Sequence, residues 1–168
     1  VILDTPGLNA MGVEPELTIS SIPNAHALLF LLATDTGVTQ SDFEIWSKWV
    51  SRHSGQHYAV LNKIDMLWDD LKTPEEIGRT IQRQIESTAA QLNIAASSVM
   101  AISAQKALVG KIRGDADLLK RSGIQGLEVM LAREIIPSRE KIMRESMARE
   151  VGPLLGETRE TAHNRIQA

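Results

Sequence analysis

Apolar residues fall into two kinds of pattern along this chain. Ala27-Leu28-Leu29-Phe30-Leu31-Leu32-Ala33, Tyr58-Ala59-Val60-Leu61 and Val99-Met100-Ala101-Ile102 are short continuous runs. Such runs predict strands buried on both faces of a sheet. Val1-Ile2-Leu3 predicts a further strand, continuing into Asp4-Thr5-Pro6-Gly7. Between the runs the period lengthens to that of a helix. Thr39-x-x-Asp42 is a helix start with an acid in the first turn, and Phe43, Trp46, Trp49 and Val50 recur behind it as a core stripe, ended by Ser54-Gly55. Thr73-Pro74-Glu75-Glu76 combines an N-cap, a proline at the first position and a glutamate at the third. Ile77, Ile81, Ile85, Ala89 and Leu92 follow on one face, with Arg79, Arg83 and Glu86 on the wet side. A charged stretch, Val109 to Ser122, reads as an insertion with a short helix at Asp115 to Arg121. Leu127, Met130, Leu131 and Ile135 mark a last domain helix that Pro137 breaks. From Ser138 a second charged helical run begins, is interrupted at Gly152-Pro153, and resumes over Glu157 to Ile166. Strands alternating with helices predict an α/β fold with a parallel sheet.

Polar residues gather where the predicted strands end, which is where open α/β sheets bind ligands. Asn62-Lys63-Ile64-Asp65 follows the second run. Guanine offers N1–H and its 2-amino group as adjacent donors, and one carboxylate, Asp65, accepts both in a charge-assisted pair. Adenine lacks the 2-amino group and carries an acceptor at N1, so it would leave Asp65 unpaired, which a site built around a polar group rejects strongly. The Asn62 side chain reaches the base edge or ties two loops together. The Lys63 stem lies across the base with its ammonium in water. Asp4-Thr5-Pro6-Gly7 is a D-x-x-G strand end, and Ser103-Ala104 ends the third run in a turn. Asp35 is first a turn former and second a nucleotide or dimer contact. Trp68 covers the base or caps its loop.

Three such signatures in this order resemble the guanine-nucleotide-binding P-loop proteins. The wider text, D-T-P-G-L-N-A, then L-N-K-I-D, then S-A-Q-K-A-L, is similar to the dynamin family, most of all to its bacterial members. The resemblance implies a P-loop NTPase-type three-layer sandwich over 1–136, followed by a helical stalk segment over 137–168. It implies GTP binding and hydrolysis to GDP and phosphate, coupled to membrane remodelling through self-association of the GTPase domains. In that family Asp4 would hold Mg²⁺ through a water, and the Gly7 amide would donate to the γ-phosphate. Asn62, Lys63 and Asp65 would select guanine, and Ser103-Ala104 would bring a backbone N–H to guanine O6. Leu8 stands where many small GTPases have a glutamine that orients the attacking water, so that water would be placed from elsewhere. Asn9 to Pro23 would be the second switch, ordered by the γ-phosphate.

Composition narrows these expectations. A net charge of −3 gives no basic excess, and on this ground no nucleic-acid partner is expected. With no cysteine, disulfides and thiolate metal sites are excluded. The longest apolar run is too short to cross a bilayer. The expected location is the cytoplasm, with any membrane contact made by regions outside this chain. No G-x-x-x-x-G-K-S/T occurs, and Val1 already reads as strand. The chain is therefore expected to be a fragment whose P-loop and first strand lie upstream, without GTP turnover by itself. Two alternatives stand beside the dynamin-like reading: a translation or ribosome-assembly GTPase, and an interaction scaffold that has lost nucleotide binding.

Overall fold

The computed structural model describes residues 2–5, 19–53 and 55–135. The chain divides into two compact units, Val1–Met130 and Leu131–Ala168. In the second, Leu131–Ile135 forms a π-helical turn; the helical run expected beyond Pro137 lies outside the described residues.

The first unit is built on a three-stranded parallel sheet in the order β1-β2-β3. Strand β1 is Ala27–Ala33, β2 is Gln56–Asn62 and β3 is Val99–Ala101. Helix α1, Gln40–Ile45, runs on as a π-helical segment, Trp46–Val50, and joins β1 to β2. Helix α2, Pro74–Leu92, joins β2 to β3. Parallel strands joined through helices cross over right-handedly, and two crossovers stepping the same way across a sheet leave both helices on one face. The core bears this out. Phe30 pairs with Ala59 and Ala59 with Val99, while Leu32 pairs with Leu61 and Leu61 with Ala101. That face packs against Ile45, Trp46 and Val50 of the first crossover and Ile85, Ala89 and Leu92 of the second.

Local chemistry sets the helix ends. Thr39 and Thr73 each accept the N–H of the third helical residue, and Asp42 and Glu76 each accept the N-cap N–H in return. These reciprocal caps satisfy donors that a helix start otherwise leaves unpaired. At the far end of α2, Asn93 turns the chain left-handed at φ 54°. The buried Trp46 indole donates from Nε1 to Leu92 O at 3.0 Å, tying α1 to that end of α2.

Helix α3, Ala104–Arg113, α4, Ala116–Arg121, and α5, Ile124–Met130, follow β3. The expected short helix over 115–121 is present with Asp115 as its N-cap, and Val109 to Arg113 belongs to α3.

Three expectations are corrected. Ile2–Thr5 forms no strand and is exposed, Ile2 at 87% and Leu3 at 67%. An apolar run becomes a strand only beside a neighbour that takes its backbone groups. Strand β1 is not buried on both faces: it is an edge of the described sheet, and Leu31 is 64% exposed whereas Val60, its partner on β2, is buried. In the π-helical segment Trp46 and Val50 are core, but Phe43 of α1 is 44% exposed. The π-helical segment changes the angular step beyond Trp46, so α-helical spacing does not carry Phe43 and Val50 into one stripe.

Candidate functional site

The carboxyl ends of β2 and β3 meet because β3 continues its pairing past the strand. Ile102 donates to Leu61 O at 2.8 Å, and Ile64 donates to Ile102 O at 3.2 Å. Strand β1 is laced in as well, since both the N–H and Oγ1 of the buried Thr34 donate to Asn62 O, at 2.9 and 2.7 Å.

At Lys63 the chain reverses through a left-handed conformation, φ 68° and ψ 31°. Such a conformation costs a residue with a side chain about 1–2 kcal/mol. A single 3₁₀ turn, Ile64–Leu67, follows and carries Asp65. Ile64 is buried and anchors the turn, leaving Asp65 half-buried at the surface.

Asp65 and Ser103 are brought together. Ser103 Oγ donates to Asp65 Oδ1 at 2.6 Å. The same hydroxyl accepts the Lys106 N–H at 3.2 Å, which caps α3. Asp65 Oδ2 makes no hydrogen bond among the described residues, and Oδ1 keeps a second lone-pair site. The carboxylate can therefore take two further donors.

Asn62 closes the other side. Its Oδ1 accepts the Lys63 N–H at 2.8 Å and the Ala104 N–H at 3.0 Å. Two backbone donors fix which end of the amide is the oxygen, so the NH₂ end is left as a donor. Of the two roles open to Asn62, tying the loops together is the one in place. The Ala104 N–H is engaged in that tie, so its use for a base carbonyl requires sharing or exchanging this bond. Ser103 N–H donates to Ser122 O at 2.8 Å and is not available. Lys63 Nζ lies 3.4 Å from Asp35 Oδ2, with the two side chains 53% and 33% exposed. At that exposure the pair orients the lysine more than it stabilises the fold.

The Trp68 backbone N–H donates to Asp65 O at 3.2 Å and closes the turn, and the Arg121 guanidinium lies over the Trp68 ring at 4.2 Å. Asp4 is exposed, and Gly7 lies outside the described residues, as do Leu8 and most of the expected switch. Among the described residues no group of three or more His, Cys, Asp or Glu side chains gathers as a metal site, and no helix is long and apolar enough to cross a membrane.

Residues not singled out in the sequence complete the site. Thr34 locks the end of β2. Ser122 is buried and holds the Ser103 backbone. Gly123, at φ 71°, approaches so closely that a Cβ there would stand 2.3 Å from Ala101 O. A Ser-Gly dipeptide marks a turn, and that is the only signal of the last two in the sequence.

No family model matches the chain. It is 25% identical over 157 residues to an uncharacterized protein in the xynA 3′ region of Caldicellulosiruptor sp. (strain Rt8B.4), an alignment spanning 93% of this chain and 38% of that protein. Among solved structures it is similar to a tyrosine-to-alanine variant of Era from Aquifex aeolicus bound to GDP and AlF₄⁻, with a TM-score of 0.49 and 20% identity over 66% of this chain and 37% of the other. It is also similar to Era in complex with MgGDPNP and nucleotides 1506–1542 of 16S ribosomal RNA, with a TM-score of 0.45 and 22% identity over 66% and 37%. The second structure holds RNA, and the expectation of no nucleic-acid partner, drawn from total charge alone, is withdrawn. A near-neutral total charge does not exclude such a partner, because RNA contacts need only a local basic surface or a further domain.

Proposed function

We propose that this chain carries the base-reading half of a guanine-nucleotide site and that the protein it serves hydrolyses GTP. The observation that carries the reading is the joining of Asp65 to Ser103 at 2.6 Å with acceptor capacity left over on the carboxylate. A carboxylate held in this way accepts from N1–H and the 2-amino group together, which guanine supplies and adenine does not. The free NH₂ of Asn62 suits a purine ring nitrogen. The Lys63 stem, oriented by Asp35, offers an apolar surface to one face of the base. Asp4 and Gly7 are proposed for the phosphate end, with Asp4 holding Mg²⁺ through a water. One carboxylate is consistent with an ion that usually keeps several waters and takes its other ligands from substrate phosphates. That ion would neutralise charge on the phosphate oxygens.

Of the two GTPase settings raised by the sequence, the Era structures bear on the ribosome-associated one and neither bears on membrane remodelling. Two similar solved structures are of Era, and one of them contains 16S ribosomal RNA. The ribosome-associated setting is therefore placed first. Co-sedimentation of the intact protein with ribosomal subunits and with liposomes, each with a non-hydrolysable GTP analogue, separates the two.

The guanine reading is tested by competition binding of GDP, ADP and XDP to the intact protein and to its Asp65→Asn variant. Asparagine presents a donor where the carboxylate accepted, so preference should pass from guanine to xanthine, whose C2 carbonyl accepts. Equal binding of GDP and ADP by the unaltered protein, or an unchanged order in the variant, overturns the assignment.

A further inference from the structure

The turn that carries Asp65 is held at a second point. The Trp68 backbone N–H closes it by donating to Asp65 O, and Arg121 covers the Trp68 ring at 4.2 Å. Arg121 is the last residue of α4. The next residue is Ser122, whose carbonyl accepts the Ser103 N–H at 2.8 Å. Ser103 then donates its hydroxyl to Asp65 at 2.6 Å. The contacts form a closed ring: Asp65, Trp68, Arg121, Ser122, Ser103 and back to Asp65. Gly123 seats the α4 end of this ring against the β3 end, where a Cβ would collide with Ala101 O.

From this ring we infer that Arg121 and Trp68 are a positioning pair that sets how strictly the site demands a 2-amino group on the purine. The inference rests on the guanine reading of Asp65. Neither side chain is needed for the hydrogen bonds of the carboxylate itself. Their effect is on where the Asp65 turn stands relative to the Ser103-Ala104 turn. Accepting two donors at once fixes both the distance and the tilt of a carboxylate, and functional geometry of this kind tolerates only about 0.5 Å. Accepting one donor fixes much less. Opening the ring therefore weakens guanine, which has both donors, more than hypoxanthine, which has N1–H alone. The planar guanidinium stacks on an indole face in a way an ammonium does not.

The test uses Trp68→Ala, Trp68→Phe, Arg121→Ala and Arg121→Lys in the intact protein. GDP and inosine diphosphate affinities are measured by calorimetry, and thermal stability is measured on the same samples. Both alanine variants should lower the ratio of GDP to inosine diphosphate affinity about two- to fivefold, the range an exposed cation–π contact supports. Trp68→Phe, which keeps a ring, should restore most of the ratio, and Arg121→Lys should fall between Arg121→Ala and the unaltered protein. Should the alanine variants fail to fold, the ratio in Arg121→Lys decides: a fall supports the inference and an unchanged ratio overturns it. A lowered melting temperature with the ratio intact makes the stack a structural clasp and overturns the inference, leaving the guanine reading in place. An unaltered protein that prefers neither GDP nor inosine diphosphate over ADP removes both.

Discussion

Ser103 and Asp65, 38 residues apart in the chain, are joined by a 2.6 Å hydrogen bond, and the same Ser103 hydroxyl accepts the Lys106 N–H that starts helix α3. One hydroxyl donates to the carboxylate and accepts a helix amide. The ends of two strands are thereby made into one surface, and the binding residues inherit their placement from a helix cap.

Removing that hydroxyl should be felt twice. Ser103→Ala loses an N-cap, worth about 0.5–2 kcal/mol, and a donor to a charged group, worth about 1.5–3 kcal/mol. We expect a fall in unfolding free energy on the order of 2 kcal/mol in urea melts. Since Asp65→Asn disturbs the same bond, the double variant should lose less than the sum of the single ones. Strictly additive losses would show that the two residues do not interact.

Gly123 and Gly114 offer an internal comparison. Both adopt positive φ, 71° and 66°, but a Cβ at Gly114 meets nothing within 4 Å whereas one at Gly123 would lie 2.3 Å from Ala101 O. Gly114→Ala should cost about 1–2 kcal/mol, the cost of the left-handed conformation. Gly123→Ala should cost clearly more and disturb nucleotide binding as well. Equal melting temperatures for the two variants would remove Gly123 from its proposed place.

Trp46 and Trp49 should separate in the same way. Trp46→Phe removes the donor to Leu92 O and leaves a gap in the core, for an expected loss of about 2–3 kcal/mol. Trp49 is only half-buried, with Lys48 Nζ 5.3 Å from its ring. Its change to phenylalanine should cost under about 1 kcal/mol. Chemical denaturation followed by far-UV circular dichroism measures both.

Acid should loosen the loop before α2. The Leu71 N–H, donating to Asp69 Oδ1 at 2.9 Å, holds the Asp69 carboxyl below its usual range; desolvation opposes this, and Lys72 assists it. A lowered folded value means that the contribution to stability is fully present above the unfolded carboxylate value and is lost as pH falls through the folded one. The side chain's resonances in an NMR titration should move with a midpoint below that of an unperturbed aspartate. A midpoint at or above that value would contradict the turn.

Much of the framework was legible in advance for local reasons. Thr39 with Asp42, and Thr73 with Pro74 and Glu76, are caps that act within one turn, and both form as their spacing indicates. The runs at 27–33 and 58–61 become strands because a continuous apolar stretch bounded by turn residues has few other ways to be buried. Phe43 and Leu31 depart from their patterns for the opposite reason. Phe43 lies ahead of a π-helical segment that no spacing announces, and Leu31 lies on an edge strand of the described sheet. Ile2 and Leu3 have the composition of a strand without a described neighbour to make them one.

The chain's own chemistry determined the residue types at the strand ends and hence the class of ligand they suit: an amide, an ammonium, a carboxylate and a hydroxyl, each with fixed hydrogen-bonding capacity. Tertiary structure decided what each of them does. It turned Asn62 into a tie between loops, paired Lys63 with Asp35, placed Ser122 behind Ser103 and laid Arg121 on Trp68. Those outcomes depend on contacts between residues far apart in sequence, and such contacts are set only when packing brings the elements together.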